Sequence, residues 1–195
     1  MPSLPVLYFI RHGETDWNAQ ARLQGQRDVP LNDVGRAQAD EVGVRLRSLV
    51  PDVERLPFLA SPLGRTRETM ERMRRAIGLP PPDYATDDRL KEITFGRWEG
   101  LTWKEVRARD PGGAKAREAN KWGFVPPDGE SYAMLAQRIA PWLKEQDTPK
   151  VVVAHGGVAR VLIHLMAGEG TGTAPTVDIW QGKVLVLRDG AYSWH

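Results

Sequence analysis

Two runs of apolar residues set the frame of the chain. "VLYFI" (6–10) and "KVVVA" (150–154) lack the polar alternation of a strand with one wet face. Continuous runs of this length fit parallel strands covered on both faces. "PFLA" (57–60) is a third, shorter strand candidate. Between them, apolar positions recur at helical spacing. "LNDVGRAQADEVGVRLRSLV" places Ala39, Val42, Leu46 and Leu49 on one face, with Asn32 as N-cap. In "SPLGRTRETMERMRRAIG", Leu63, Thr66, Met70, Met73 and Ile77 form a face. There Ser61 suits the N-cap, Pro62 the first helical position and Gly78 the end. "TWKE" (102–105) is a capping box. "ESYAMLAQRIAPWLKEQ" buries Tyr132, Leu135, Ile139 and Trp142, with Pro141 expected to kink or shorten it. "GVARVLIHLMAG" gathers Val158, Val161, Leu162 and Leu165, and "KVLVLRDGAYSW" reads as a hairpin turning at Asp189-Gly190. Strands alternating with helices imply an α/β fold: a three-layer sandwich with a mostly parallel sheet flanked by helices.

The strand ends carry the chemistry. The first runs into Arg11-His12-Gly13, the second into His155-Gly156-Gly157, and Arg65 follows the third in the first turn of its helix. In open α/β sheets ligands sit beyond the carboxyl ends of the strands. Arginine forks and a helix N-terminus favour an anion, and two histidines with two arginines fit a phosphate dianion. No Walker A sequence follows a strand, so a P-loop is excluded. No zinc-type histidine spacing is present, and arginines would repel a cation; no metal or other cofactor is expected. A neutral imidazole can then serve as nucleophile toward a phosphate ester. The leaving alkoxide needs an acid, for which "LKEITFGRWEG" offers Glu92 and Glu99. A carboxyl desolvated beside aromatic rings can stay protonated near neutral pH.

Composition narrows the class. The 195 residues, 41% hydrophobic and 27% charged, suit one domain with a core of its own. There is no cysteine, so disulfides and thiolate chemistry are excluded, and a reducing cytoplasm is the expected setting. "MPSLPVLYFI" has neither the basic region nor the length of a signal or membrane segment, so no membrane partner is expected. A net charge of +2 gives no support to nucleic-acid binding. The expected partner is a small phosphate ester. Oligomeric state is not legible.

Several motifs, in order, resemble the histidine phosphatase superfamily, also called the phosphoglycerate mutase-like family. They are "RHGETDWN" (11–18), "LNDVGRAQA" (31–39, with Asn32 where threonine is usual), "SPLGRTRETM" (61–70), "KEITFGRWEG" (91–100), "PDGES" (127–131) and "VVAHGG" (152–157). The resemblance spans about residues 6 to 165. It implies a single domain over 1–195, with about 93–130 as a cap over the active site. It implies that His12 becomes phosphohistidine, that Arg11, Arg65 and His155 hold phosphate oxygens with Asn18 assisting, and that Glu92 is the proton donor. Glu99 takes the family's second glutamate, assigned to structure. Around the acid the mutases resemble E-R-H-Y-G-x-L, followed by a much longer insertion; here "KEITFGRWEG" and a short stretch to Glu130 favour a phosphatase. A mutase, or a non-catalytic phosphate-binding module, is the alternative. Specificity is expected from Arg22, Leu23, Gln24 and Gly25, from the pocket wall at Gly156, and from the segment Phe95 to Phe124. Arg22 and Lys121 hint at a further negative group on the substrate, and one of Trp98, Trp103 and Trp122 is a candidate pocket wall.

Overall fold

The computed structural model describes residues 4–195; the first three residues of the N-terminal stretch lie outside it. Six strands form one sheet: β1 (Leu7–Arg11), β2 (Phe58–Ala60), β3 (Ala85–Thr86), β4 (Lys150–Ala154), β5 (Val184–Arg188) and β6 (Ala191–Trp194), in the order β3-β2-β4-β1-β5-β6. The four strands β3, β2, β4 and β1 are parallel, β5 pairs antiparallel with β1, and β6 pairs antiparallel with β5 at the edge. The hairpin turns at Asp189 (φ 50) and Gly190 (φ 76), the two left-handed residues of a tight turn.

Among the described residues, seven α-helices accompany the sheet: α1 (Asp16–Ala19), α2 (Asp33–Leu49), α3 (Gly64–Ala76), α4 (Trp103–Arg109), α5 (Pro111–Ala119), α6 (Tyr132–Lys144) and α7 (Gly156–Ala167). Strand side chains alternate between the two faces. Leu7, Phe9, Val152, Ala154, Leu185 and Leu187 pack with α6 and α7, while Ile10, Val151, Val153, Val184 and Val186 pack with α2 and α3. Both faces are covered, which is why the central strands carry no polar alternation. A third, smaller cluster of Leu23, Trp98, Val106 and Ala114 lies apart from the sheet, with Phe95, Leu101, Trp103 and Phe124 packed on it. It gives the segment carrying α4 and α5 a core of its own.

The caps expected at Asn32 and Thr102 form, the latter as a full capping box. Two local expectations fail. Helix α3 begins at Gly64, not Pro62, with Leu63 extended before it (φ −68, ψ 142). The Ser61 hydroxyl does not cap it but lies 2.7 Å from His155 Nε2. Pro141 does not shorten α6 at its position; the helix runs on to Lys144.

Strands β2, β4 and β1 are adjacent, and their carboxyl ends are level. Arg11 pairs with Ala154, His12 N donates to Ala154 O (3.0 Å), and Ser61 N donates to Val153 O (3.0 Å). Three loops far apart in sequence thereby meet at one edge.

Candidate active site

His12 and His155 face each other edge to plane at that edge, with ring centroids 5.3 Å apart. Both rings are buried. His12 Nδ1 lies 2.8 Å from the Gly13 carbonyl, which can only accept, so Nδ1 carries the proton and Nε2 keeps its lone pair. His155 has the opposite tautomer. Its Nδ1 accepts from Arg65 Nη2 (3.2 Å), leaving Nε2–H to donate to Ser61 Oγ (2.7 Å). Burial, reinforced by the charge of Arg65, pushes both histidines well below the usual imidazole range. Both are neutral at physiological pH, and His12 presents a free base.

The arginines are held by backbone and retain spare donors. Arg65 donates to the carbonyls of Arg27 and Gly25 (2.7 Å each), and Arg11 to that of Ile179 (2.9 Å). The Nε of each is buried without a partner among the described residues, as is Gln24 Nε2. Desolvation lowers both guanidinium groups, Arg65 to about 10, with Glu92 opposing it. Arg11, His12, Arg65 and Gln24 line one pocket. Unmet donors at its wall are what an absent anion would satisfy.

Glu92 enters the same pocket at the start of α7. Its two oxygens accept from Gly157 N (3.0 and 3.1 Å). This close seat exists because residue 157 has no side chain: a Cβ there would lie 2.4 Å from Glu92 Oε1. Arg138 of α6 holds the strand of chain behind Glu92, donating to the carbonyls of Arg89 and Lys91 and pairing with Glu130 (2.8 Å). Glu99 does different work. It accepts from Thr94 Oγ1 (2.8 Å), Phe95 N (3.2 Å) and Gln26 N (3.1 Å), and it pairs with Arg27 (3.3 Å). It ties the Gly25 loop to the segment after Glu92. Gly25, at φ +53, admits it; a Cβ there would meet Glu99 Oε1 at 2.0 Å.

A family model described as "Histidine phosphatase superfamily (branch 1)" matches residues 7–195. The chain belongs to that superfamily. Among curated histidine phosphatase relatives, a glucosyl-3-phosphoglycerate phosphatase of Mycolicibacterium vanbaalenii is 35% identical over 83% of this chain and 74% of its own. A probable phosphoglycerate mutase GpmB of Salmonella arizonae is 34% identical over 96% and 82%. Among solved structures, YhfR of Bacillus stearothermophilus superposes with a TM-score of 0.81 at 29% identity, covering 98% of this chain and 94% of that one.

The other candidate residues divide by what they touch. Asn18 lines the pocket; its Oδ1 is taken by Thr15 N (3.2 Å) and Gln181 Nε2 (3.2 Å), leaving its NH₂ as donor. Gly25 and Gly156 form backbone wall. Arg22 also lines the pocket, but its guanidinium is occupied by Gly100 O (2.7 Å), Glu105 (3.1 Å) and Gln20 (2.9 Å). The His155 ring packs behind the wall against Arg65 and Ser61, and Gly156 beside it reaches the surface of the pocket. None of Trp98, Trp103 and Trp122 is in the lining, which is Phe95 and Tyr132 instead. Arg160 was not anticipated; it stands one turn after Gly156 on α7, so its spacing was the available signal. Gln181, which also donates to His12 O (3.0 Å), had no signal at all, arriving from an irregular segment before β5. Among the described residues, no group of three or more His, Cys, Asp or Glu side chains is arranged to hold a metal ion, and no helix is long and apolar enough to cross a membrane.

Proposed function

We propose that this protein is a metal-independent phosphomonoesterase that hydrolyses a small phosphorylated metabolite through a phosphohistidine on His12. The observation that carries it is the convergence of a neutral, lone-pair-bearing His12 with three unpartnered donors, Arg11 Nε, Arg65 Nε and Gln24 Nε2. These donors, with the Asn18 amide, take the phosphoryl oxygens. Nε2 of His12 attacks phosphorus as the ester P–O bond breaks, and Glu92 gives its proton to the leaving alkoxide. Glu92 then takes a proton from water, which attacks phosphohistidine, releases inorganic phosphate and restores the ring. His155 acts from behind: it accepts from Arg65 and so fixes the guanidinium that faces the phosphoryl group. In this assignment residues of about 93–130 form a cap, with Phe95 over the pocket, and the setting is the cytoplasm.

The relative named as a probable phosphoglycerate mutase favours a second reading, in which the phosphoryl group returns to substrate instead of water. The short stretch between Glu92 and Glu130 speaks for hydrolysis. Rapid-quench samples with a slow ester should contain phosphohistidine at residue 12, and inorganic phosphate should appear in step with the free alcohol. His12→Ala should lose nearly all turnover while remaining folded. Wild-type-like turnover in that variant would mean direct attack by water, and phosphoryl transfer without phosphate release would establish the mutase.

A further inference from the structure

The irregular segment 177–181, between α7 and β5, follows all the family motifs in the chain, yet it holds four groups of the pocket. The Val177 carbonyl accepts from Arg160 Nε (2.9 Å), and the Ile179 carbonyl accepts from Arg11 Nη1 (2.9 Å). Gln181 forms an isolated bridge with Arg11 at the end of β1. Its side-chain nitrogen, Nε2, uses both protons, one on the His12 carbonyl (3.0 Å) and one on Asn18 Oδ1 (3.2 Å). His12 N is bonded on the other side to Ala154 O (3.0 Å). Both backbone groups of His12 are thereby fixed, one by β4 and one by Gln181.

Hydrogen-bond polarity spreads from this contact. A carbonyl only accepts, so the Gln181 group facing His12 O is the NH₂, and the Asn18 atom beside it is then the oxygen. An amide oxygen has two lone pairs. Three donors stand within reach of Asn18 Oδ1: Thr15 N (3.2 Å), Gln181 Nε2 (3.2 Å) and Thr15 Oγ1 (3.1 Å). Once the first two bonds are made, the single Thr15 hydroxyl proton goes to its other acceptor, Gln24 Oε1 (3.1 Å), while the oxygen accepts from Asn18 N (3.2 Å). Thr15 and Gln24 are buried, so water does not replace that bond. With its oxygen engaged by Thr15, Gln24 keeps its NH₂ for the pocket it lines, where the nitrogen has no partner among the described residues. Asn18, its oxygen engaged by Gln181, likewise keeps its NH₂ for the pocket.

We propose that Gln181 is a positioning residue of the phosphoryl pocket: it fixes the backbone of His12 and, through Asn18 and Thr15, aims the amide donors of Asn18 and Gln24 at the anion. This rests on the phosphatase reading above. Gln181 is not itself in the pocket lining, so its effect passes through these neighbours. Without its NH₂, one lone pair of Asn18 Oδ1 is vacated. The Thr15 proton then has two acceptors at the same distance, 3.1 Å, and Gln24 loses its exclusive hold on it.

The test is a double-mutant cycle read by the Kd of inorganic phosphate, with turnover of para-nitrophenyl phosphate measured alongside. Gln181→Met keeps the length of the side chain and removes its donors; Gln24→Met deletes a donor that Gln181 aims. Gln181→Met should weaken phosphate binding by about tenfold, the worth of a hydrogen bond to a charged group, with a melting temperature close to wild type. In the double variant the loss should fall short of the product of the two single losses by about threefold or more, as expected of residues in one network. A merely structural role would leave the two losses independent. If Gln181→Met is poorly folded, Thr15→Val, which removes the relaying hydroxyl without touching His12, takes its place in the cycle. A loss under about threefold in the first variant, or losses that simply multiply, overturns the positioning role, while wild-type hydrolysis of the ester keeps the phosphatase reading. If the wild type neither binds phosphate nor hydrolyses the ester, both fall together.

Discussion

Gly157→Ala separates the position of Glu92 from the integrity of the fold. Residue 157 is the second residue of α7 and is not among the positive-φ glycines, so alanine fits the backbone and raises helix propensity by up to about 1 kcal/mol. Its Cβ, however, would stand 2.4 Å from Glu92 Oε1 and 3.0 Å from Ile93 Cγ2. Relief requires the carboxyl group, the flexible partner, to withdraw by about 1 Å, a misplacement that can cost about 10²-fold. Full loss of a general acid would cost about 10²–10⁴-fold. An alkyl phosphate leaves as a strong base and needs that proton; a nitrophenolate does not. The expected result is a melting temperature equal to or above wild type, with kcat/KM for an alkyl phosphate down about 10²-fold and for para-nitrophenyl phosphate far less. Alkyl phosphate turnover within about twofold of wild type would refute the claim that this carboxyl position matters. An equal loss on both esters would mean general damage to the pocket, not a displaced acid.

Glu92→Gln should show the same leaving-group discrimination more strongly and should accumulate phosphohistidine with the activated ester, since water activation is lost too; rapid-quench kinetics checks both. Glu99→Gln should instead destabilise the chain by about 1–3 kcal/mol in urea unfolding, through its bonds to Thr94, Phe95 and Gln26, with no leaving-group discrimination. EDTA should leave turnover unchanged; loss of activity restored by a divalent ion would remove the arginine-based mechanism. The pH dependence follows from His12 and His155, whose folded values lie well below the unfolded value of about 6.5. As pH falls below about 6.5 the unfolded chain takes up protons first, so their contribution is complete above that value and is lost below it, by up to about 1.4 kcal/mol per pH unit for each ring. Urea unfolding from about pH 7 to about pH 5.5 should show the decline, and a flat profile would contradict neutral buried rings.

What the sequence disclosed depended on whether a residue's partners are local. Runs of buried strand and the i, i+3, i+4 faces of α2, α3, α6 and α7 depend on near neighbours, and they placed His12, His155 and Arg65 at one sheet edge correctly. Ser61 looked like a helix cap because Ser-Pro before a helix is a local signal. The hydroxyl bonds His155 instead, 94 positions away, and the helix starts later to allow it. Arg22 looked free to meet substrate because Glu105, its partner, is 83 positions distant. Pro141 looked like a breaker, but it sits in the last turns of a helix whose Tyr132, Leu135, Ile139 and Trp142 are buried, and that packing outweighs one missing hydrogen bond. Arg160 is marked only by its spacing, one turn after Gly156 on α7, and a helical arginine is too common for that spacing alone to single it out.

The site's stability and its function draw on the same unmet donors. Arg65 is buried beside two neutral histidines with only two backbone carbonyls and His155 Nδ1 as acceptors, and Arg11 has a single one, the Ile179 carbonyl. Glu92 is the strongest opposing charge for both, which makes it at once their counter-ion and the proposed acid. When a phosphate dianion enters, it supplies the missing acceptors and shares with Glu92 the role of counter-ion. The same linkage means that an anion bound only by the folded chain should stabilise it. Inorganic phosphate at about 100 times its dissociation constant should add about 2.7 kcal/mol, read as a rise in melting temperature. Vanadate, able to adopt the five-coordinate geometry of phosphoryl transfer, should do so at lower concentration. Arg65→Met should abolish both shifts, because it removes the donor that the pocket holds ready. A shift that survives in that variant would place the anion elsewhere on the surface, and the orphaned guanidinium nitrogens would then have to be explained without a ligand.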